Sequence, residues 1–236
     1  QPFQKKIFFK QKKINKNLNT YGFEHTAPHS IATQLYYTKG SPDKLLVSGE
    51  NAKKTYTRYY DWSHNKIIKT FPCRYKNFSK KNFLNTLFLP YDFTSSEKII
   101  KGLSSYLNNV PDNSLPKLLV KIHPVKIKSL KHILLKTKLE NIINLHKKKF
   151  TSNNKNNLVI VVGFTSTVIV ALEYGLSVLH ICPNPDLDSY SSYFWSDINI
   201  KRIDRYCFLY KLKKKSSYLN FKLNDKIKKI LINENI

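Results

Sequence analysis

From residue 83 onward, apolar stretches with the period of a strand alternate with stretches of helical period. Phe83 to Leu89 is a short apolar run stopped by Pro90. Thr94-Ser95-Ser96-Glu97 then reads as a capping sequence ahead of a helix over Ile99 to Leu107. Leu118 to Ile122 predicts a second buried strand, ended by His123-Pro124. Ser129 to Leu139 places apolar residues at Leu130, Ile133, Leu134 and Leu139, which predicts an amphipathic helix. Leu158 to Val162 is an unbroken, mostly β-branched run, the pattern of a parallel strand covered on both faces. After Gly163 a helix is expected over Thr165 to Tyr174, closed by Gly175, and Val178 to Cys182 is the next strand. Leu223 to Ile232 reads as a basic amphipathic helix.

Repeated strand-then-helix units predict an α/β fold with a doubly wound, Rossmann-like parallel sheet over residues 79–236. Residues 1–78 are less regular. Asn19 to Phe23, Lys44 to Val47 and Ile67 to Thr70 look like strands, and Glu50 to Tyr60 looks like a helix after Gly49. This part reads as the tail of a second α/β domain whose upstream portion is missing, since the chain starts at Gln1 and Met is absent throughout. Lys147 to Asn157 is expected to be a Lys/Asn-rich surface loop.

Composition changes this picture in two ways. Hydrophobic residues make up 41% of the 236 positions, enough for a substantial core, so wholesale disorder is excluded. There is no apolar stretch long enough for a spanning helix. The net charge of +26 invites a nucleic-acid reading, but only four of the 41 basic residues are Arg. Phosphate and base recognition usually leans on the bidentate Arg fork, so the Lys excess, with its accompanying Asn and Ile, reads as codon composition. A cationic face also suits an anionic membrane surface or an anionic substrate. Cys73, Cys182 and Cys207 are odd in number and lack CxxC spacing, which indicates neither a disulfide framework nor a zinc site and fits a reducing compartment.

In doubly wound sheets ligands bind beyond the carboxyl ends of the strands. Two expected strand ends carry chemistry there. His123-Pro124 leaves an imidazole at the sheet edge, where Pro fixes the turn. Gly163-Phe164-Thr165-Ser166-Thr167 joins a strand to a helix, with hydroxyls at a helix N-terminus that attracts anions. Taken singly, a capping His and an ordinary Ser/Thr cap account for each. Together, at strand ends expected to be neighbours, they point to phosphate binding. Asp186-Leu187-Asp188 reads as a polar loop with Asx turns rather than a metal site. His29, His64, His132, His146 and His180 have no spacing for metal or nucleophilic chemistry and read as surface or core residues. Trp62 and Trp195 read as packing residues, with Phe194-Trp195 near the Asp loop alternatively flanking a sugar or base.

An HP pair followed some forty residues later by an S/T-rich turn resembles the C-terminal half of GT-B glycosyltransferases that use CMP-activated sugars, such as bacterial sialyltransferases, polysialyltransferases and Kdo transferases. Gly22-Phe23-Glu24-His25-Thr26 and Pro42-Asp43-Lys44-Leu45-Leu46-Val47-Ser48-Gly49-Glu50 are similar to the end of a GT-B N-terminal domain. The resemblance implies that His123, Pro124, Gly163, Thr165, Ser166 and Thr167 hold the nucleotide of the donor. It also implies Glu24 and His25 as catalytic candidates, with a structural role at the domain seam as the alternative. The chain departs from many GT-B enzymes at Val170, where a ribose-binding Glu is usual. CMP-using families rely less on that Glu.

The implied activity is metal-independent, inverting transfer of a sugar from a nucleotide-linked donor, with CMP-sugar expected, to a glycan or lipid-linked acceptor. The product would be surface polysaccharide or lipopolysaccharide. A cytoplasmic protein is implied, at the inner face of the cytoplasmic membrane, and this piece alone is expected to turn over little. The alternatives are a non-catalytic GT-B-like binding module and a Lys-rich nucleic-acid-binding protein.

Overall fold

Each side of residue 78 builds its own main sheet. In a computed structural model of the chain, residues 7, 10–24, 26–31, 36–75, 79–151, 157–213 and 218–221 are described. The chain divides into a first unit, Gln1–Phe78 with Lys215–Ile236, and a second, Ser79–Lys214. The second unit therefore ends at Lys214, whereas the sequence pattern carries it to residue 236. The expected helix over Leu223 to Ile232 lies outside the described residues, as do residues 152–156 of the Lys/Asn-rich loop.

In the first unit, β1 (Tyr21–Phe23), β2 (Lys44–Val47) and β3 (Ile67–Lys69) pair in parallel in the order β1-β2-β3. Helix α1 (Glu50–Tyr59) crosses from β2 to β3. Its Ala52 and Tyr56 pack with Leu45, Val47, Tyr60, Trp62 and Ile67, so Trp62 is a core residue as expected. The Pro42-Asp43 pair ties the entrance of β2 to that of β1. Asp43 Oδ2 accepts from Thr20 N at 2.9 Å and from Thr20 Oγ1 at 2.7 Å. A Cβ on Gly22 would meet Pro42 Cγ at 2.6 Å, so this approach requires glycine. Asn220 N donates to Ser48 O at 2.7 Å, and the neighbouring Tyr218 and Leu219 are buried.

The second unit is built on a six-stranded sheet. Its strands in chain order are β4 (Thr86–Phe88), β6 (Leu119–Lys121), β8 (Leu158–Val162), β9 (Ser177–Ile181), β10 (Ile198–Asp204) and β11 (Cys207–Leu212). Short segments β5 (Leu115–Pro116) and β7 (Phe150–Thr151) pair in parallel apart from it. The spatial order is β10-β11-β9-β8-β4-β6, with β6, β4, β8 and β9 parallel, β11 antiparallel to β9, and β10 antiparallel to β11. The sheet is thus mixed and mostly parallel, compatible with a Rossmann-like α/β fold. The hairpin is a correction to the all-parallel expectation. Its Lys and Arg interleave with the apolar residues because β10 is the edge strand and faces water.

Helices α2 (Ser96–Asn109) and α3 (Leu130–Leu145) cover one face, where Ile99, Leu103, Leu107, Leu135 and Leu139 join Leu87, Ile160, Val162 and Leu179 in one core. The alternate residues Val159, Val161 and Val178 turn to the other face, where α4 (Thr167–Glu173) packs on β8, β9 and β11. Ser95 caps α2 by accepting from Lys98 N, as the capping sequence predicts. Two expectations change. β6 is the far edge strand, with Leu119 exposed, rather than a strand buried on both faces. In α3 the buried residues are His132, Leu135, Leu139 and Ile143, while Leu130, Ile133 and Leu134 face solvent.

Candidate functional site

The strand order reverses at β4. From β4 the chain moves outward to β6, then returns past β4 to β8. The helix after β4 lies on one face of the sheet and the helix after β8 on the other, so their connecting loops part beyond the carboxyl ends of these two strands. In open α/β sheets this is where a ligand crevice opens. His123-Pro124, after β6, and Gly163 to Thr167, after β8, both stand at this end, but β4 lies between their strands. The two strand ends are therefore not the neighbours that the sequence pattern implies; Leu89-Pro90-Tyr91-Asp92 separates them.

The loop after β8 is set by its glycine. Gly163 adopts φ +67°, and its N–H donates to Ile181 O at 2.8 Å. A Cβ there would lie 3.3 Å from Pro90 Cγ, so backbone conformation and close approach both select glycine. Thr165 Oγ1 then accepts from Thr167 N at 3.2 Å and lies 2.9 Å from Thr167 Oγ1. Thr165, rather than Ser166 at the N-cap position, satisfies the first turn of α4 with its side chain. Thr165, Ser166 and Thr167 are half-buried. Val170, on the buried side of α4, has no access to a ligand at this loop.

His123 caps its own turn. Its Nδ1 accepts from Val125 N at 3.3 Å, and Pro124 opens the short 3-10 turn Pro124–Lys126. The imidazole packs edge-on against Tyr91, with ring centroids 5.4 Å apart. The neutral ring therefore carries its proton on Nε2. Lys126 Nζ sits 4.2 Å from the Tyr91 ring centroid, and Lys131 pairs with Asp92 at 3.1 Å. Lysine charge thus surrounds the loop between the two motifs.

Two buried histidines hold these loops, and neither carries a functional signal in the sequence. His132, in the first turn of α3, places Nε2 3.2 Å from Pro90 O and Nδ1 3.0 Å from Ser129 Oγ. His180, within β9, places Nε2 2.8 Å from Gly163 O and Nδ1 3.3 Å from Cys182 Sγ. A carbonyl only accepts, so each ring donates from Nε2. Burial pushes the His180 pKa down to about 4 and the Cys182 thiol well up, keeping both neutral. Beneath the loop, Tyr190 and Tyr210 pack around His180, and Trp195, fully buried as expected of a packing residue, packs on Tyr190.

Glu24 lies in the first unit, just past β1, and is buried. One carboxylate oxygen accepts from Tyr56 OH and the other from Ser48 N at 3.4 Å. Both oxygens therefore brace α1 and the turn after β2 within that unit. Burial raises the carboxyl pKa to about 7, against the lowering effect of those two hydrogen bonds. His25 lies outside the described residues. Asp188 closes its own helical turn α5 (Pro185–Asp188), its Oδ2 accepting from Asn184 N at 2.8 Å. Among the described residues, no three His, Cys, Asp or Glu side chains converge as a metal site would require. A cleft of about 530 Å³ lies elsewhere in this second unit, between Lys117-Leu118 before β6 and Glu140, Ile143 and Asn144 of α3.

No family model, curated protein or solved structure matches this chain.

Proposed function

We propose that the second unit binds the nucleotide of an activated sugar and belongs to a GT-B-type glycosyltransferase of surface-polysaccharide or lipopolysaccharide biosynthesis, with a CMP-linked donor. The observation that carries the reading is topological. His123 and the Thr165-Ser166-Thr167 turn stand at the carboxyl ends of strands flanking β4, where the strand order reverses. In the proposed scheme the His123 imidazole donates from Nε2 to a donor phosphate oxygen. The Ser166 hydroxyl and the amides at the start of α4 supply further donors as negative charge builds on the departing nucleotide. The acceptor hydroxyl gives its proton to a general base as its oxygen attacks the anomeric carbon, while the bond to the phosphate oxygen breaks and the nucleotide leaves, which inverts that centre.

Calorimetric titration of the chain with CMP, UDP and GDP at moderate salt tests this. Preference for CMP, weakened about tenfold or more in His123→Ala and in Ser166→Ala, is the expected result, as for loss of one charge-assisted hydrogen bond. Unchanged CMP affinity in His123→Ala overturns it. A second reading, a binding module without turnover, is favoured by the buried Val170 where many GT-B enzymes hold ribose with a Glu. Nucleotide binding with no sugar transfer or donor hydrolysis by the full-length protein would favour that module.

A further inference from the structure

We infer that the segment running from the turn after β6 into the first half of α3 is a docking surface for an anionic lipid bilayer. Large apolar side chains stand out into solvent here: Val125 is 71% exposed, Ile127 61%, Leu130 74% and Leu134 59%. They are not spillover from the core, because α3 already buries His132, Leu135, Leu139 and Ile143 on its opposite side. The helix is apolar on two faces, and among the described residues of the unit only one of them is packed against a partner. A concentration of exposed aliphatic residues in one short segment marks an interaction site rather than ordinary surface scatter.

Charge identifies the partner. Between Asp112 and Glu140 the sequence carries seven Lys and no acidic residue. Lys128 and Lys131 are exposed among the apolar side chains. Asp92, which meets the patch from the β4 loop, is paired with Lys131 at 3.1 Å. Aliphatic side chains interspersed with lysine, among them the exposed Lys128 and Lys138, suit the boundary of acyl chains and anionic headgroups, where the first insert and the second pair. Single-stranded nucleic acid, the other polyanion, is gripped by stacking bases on aromatic faces. Here the protruding side chains are aliphatic, and Tyr91 at the margin has Lys126 over its ring. The patch starts two residues after His123, and the inference stands apart from the nucleotide reading.

Co-sedimentation of the full chain with vesicles of phosphatidylcholine plus phosphatidylglycerol, and of phosphatidylcholine alone, tests it. Binding is expected only to the anionic vesicles. The triple variant Ile127→Ser, Leu130→Ser, Leu134→Ser should bind about tenfold more weakly or worse, through loss of inserted apolar area. Leu145→Ser, at the exposed far end of α3, makes the same kind of change outside the patch and should bind as the parent does. All four positions are solvent-facing, and circular dichroism checks that each variant is folded. Equal binding by the triple variant and the parent overturns the inference, since net charge would then suffice. So does absence of binding to anionic vesicles, a dimer that the triple variant dissolves, or an oligonucleotide affinity lost in that variant.

Discussion

His180 Nε2 lies 2.8 Å from the carbonyl oxygen of Gly163, so a buried imidazole in β9 holds the loop that carries the candidate phosphate-binding hydroxyls. Its pKa is down at about 4 against an ordinary 6.5, chiefly through burial. The unfolded chain therefore takes up a proton at a pH where the folded chain does not. The neutral ring's stabilisation is complete above about pH 6.5 and is lost as pH falls from there towards 4. His180→Ala should cost about 1–3 kcal/mol at pH 7 by stranding a buried carbonyl. His180→Gln, which can restore the donor without titrating, should flatten the melting temperature between pH 7 and 4.5. An unchanged acid-side slope in that variant would show that another group controls it.

Gly163→Ala should destabilise the second unit by about 1–2 kcal/mol through the left-handed backbone alone. The contact with Pro90 at 3.3 Å adds to this. Denaturant melts would read the loss, and a variant as stable as the parent would contradict the loop conformation described.

The two faces of α3 make opposite predictions. Leu135→Ala, in the core beside Leu139, should cost about 2–5 kcal/mol. Leu134→Ala, one residue away and exposed, should change stability by less than about 0.5 kcal/mol. Comparable losses at both positions would mean that Leu134 is covered in solution.

Glu24 acts on stability with the opposite sign to His180. Its folded pKa of about 7 lies above the ordinary 4.5, so the folded chain holds the proton more tightly. Stability from this group is full below pH 4.5 and is lost as pH rises through about 7, by roughly 3 kcal/mol in all. His29, lowered to about 4 by burial and by Arg74, acts the other way in the same unit. The difference between parent and Glu24→Gln isolates the Glu24 contribution. The variant should gain on the parent in chemical-denaturation stability from pH 5 to pH 8. A constant difference across that range would place the Glu24 pKa near its ordinary value.

Much of the local structure is legible in the chain. The apolar run at Leu158 to Val162, the glycine after it and the cap at Ser95 act over a few residues, so their neighbours alone announce them. The face of α3 reads wrongly from sequence for a physical reason. Leu130, Ile133, Leu134 and Leu139 have the spacing of a core stripe, and only the position of β6 and α2 shows that His132, Leu135 and Ile143 join Leu139 in that role while the other three face solvent. The β10–β11 hairpin escapes a sequence reading because, on an edge strand, Lys201 and Arg202 blur the alternation that marks a strand.

Which segments of the second unit become its parallel strands and its longer helices, and that two strand ends carry anion-binding residue types, are written in the order of the residues, although α3 runs on to Leu145, past the Leu139 that the pattern marks. Those properties follow from side-chain period, capping and turn chemistry, which are short in range. Strand order is different: folding alone sets β4 between the HP turn and the Thr-Ser-Thr turn. Folding also brings His132 and His180 back across 42 and 17 residues to hold Pro90 and Gly163. Such pairings depend on which surfaces meet once the core closes, and no local pattern in the chain encodes that meeting.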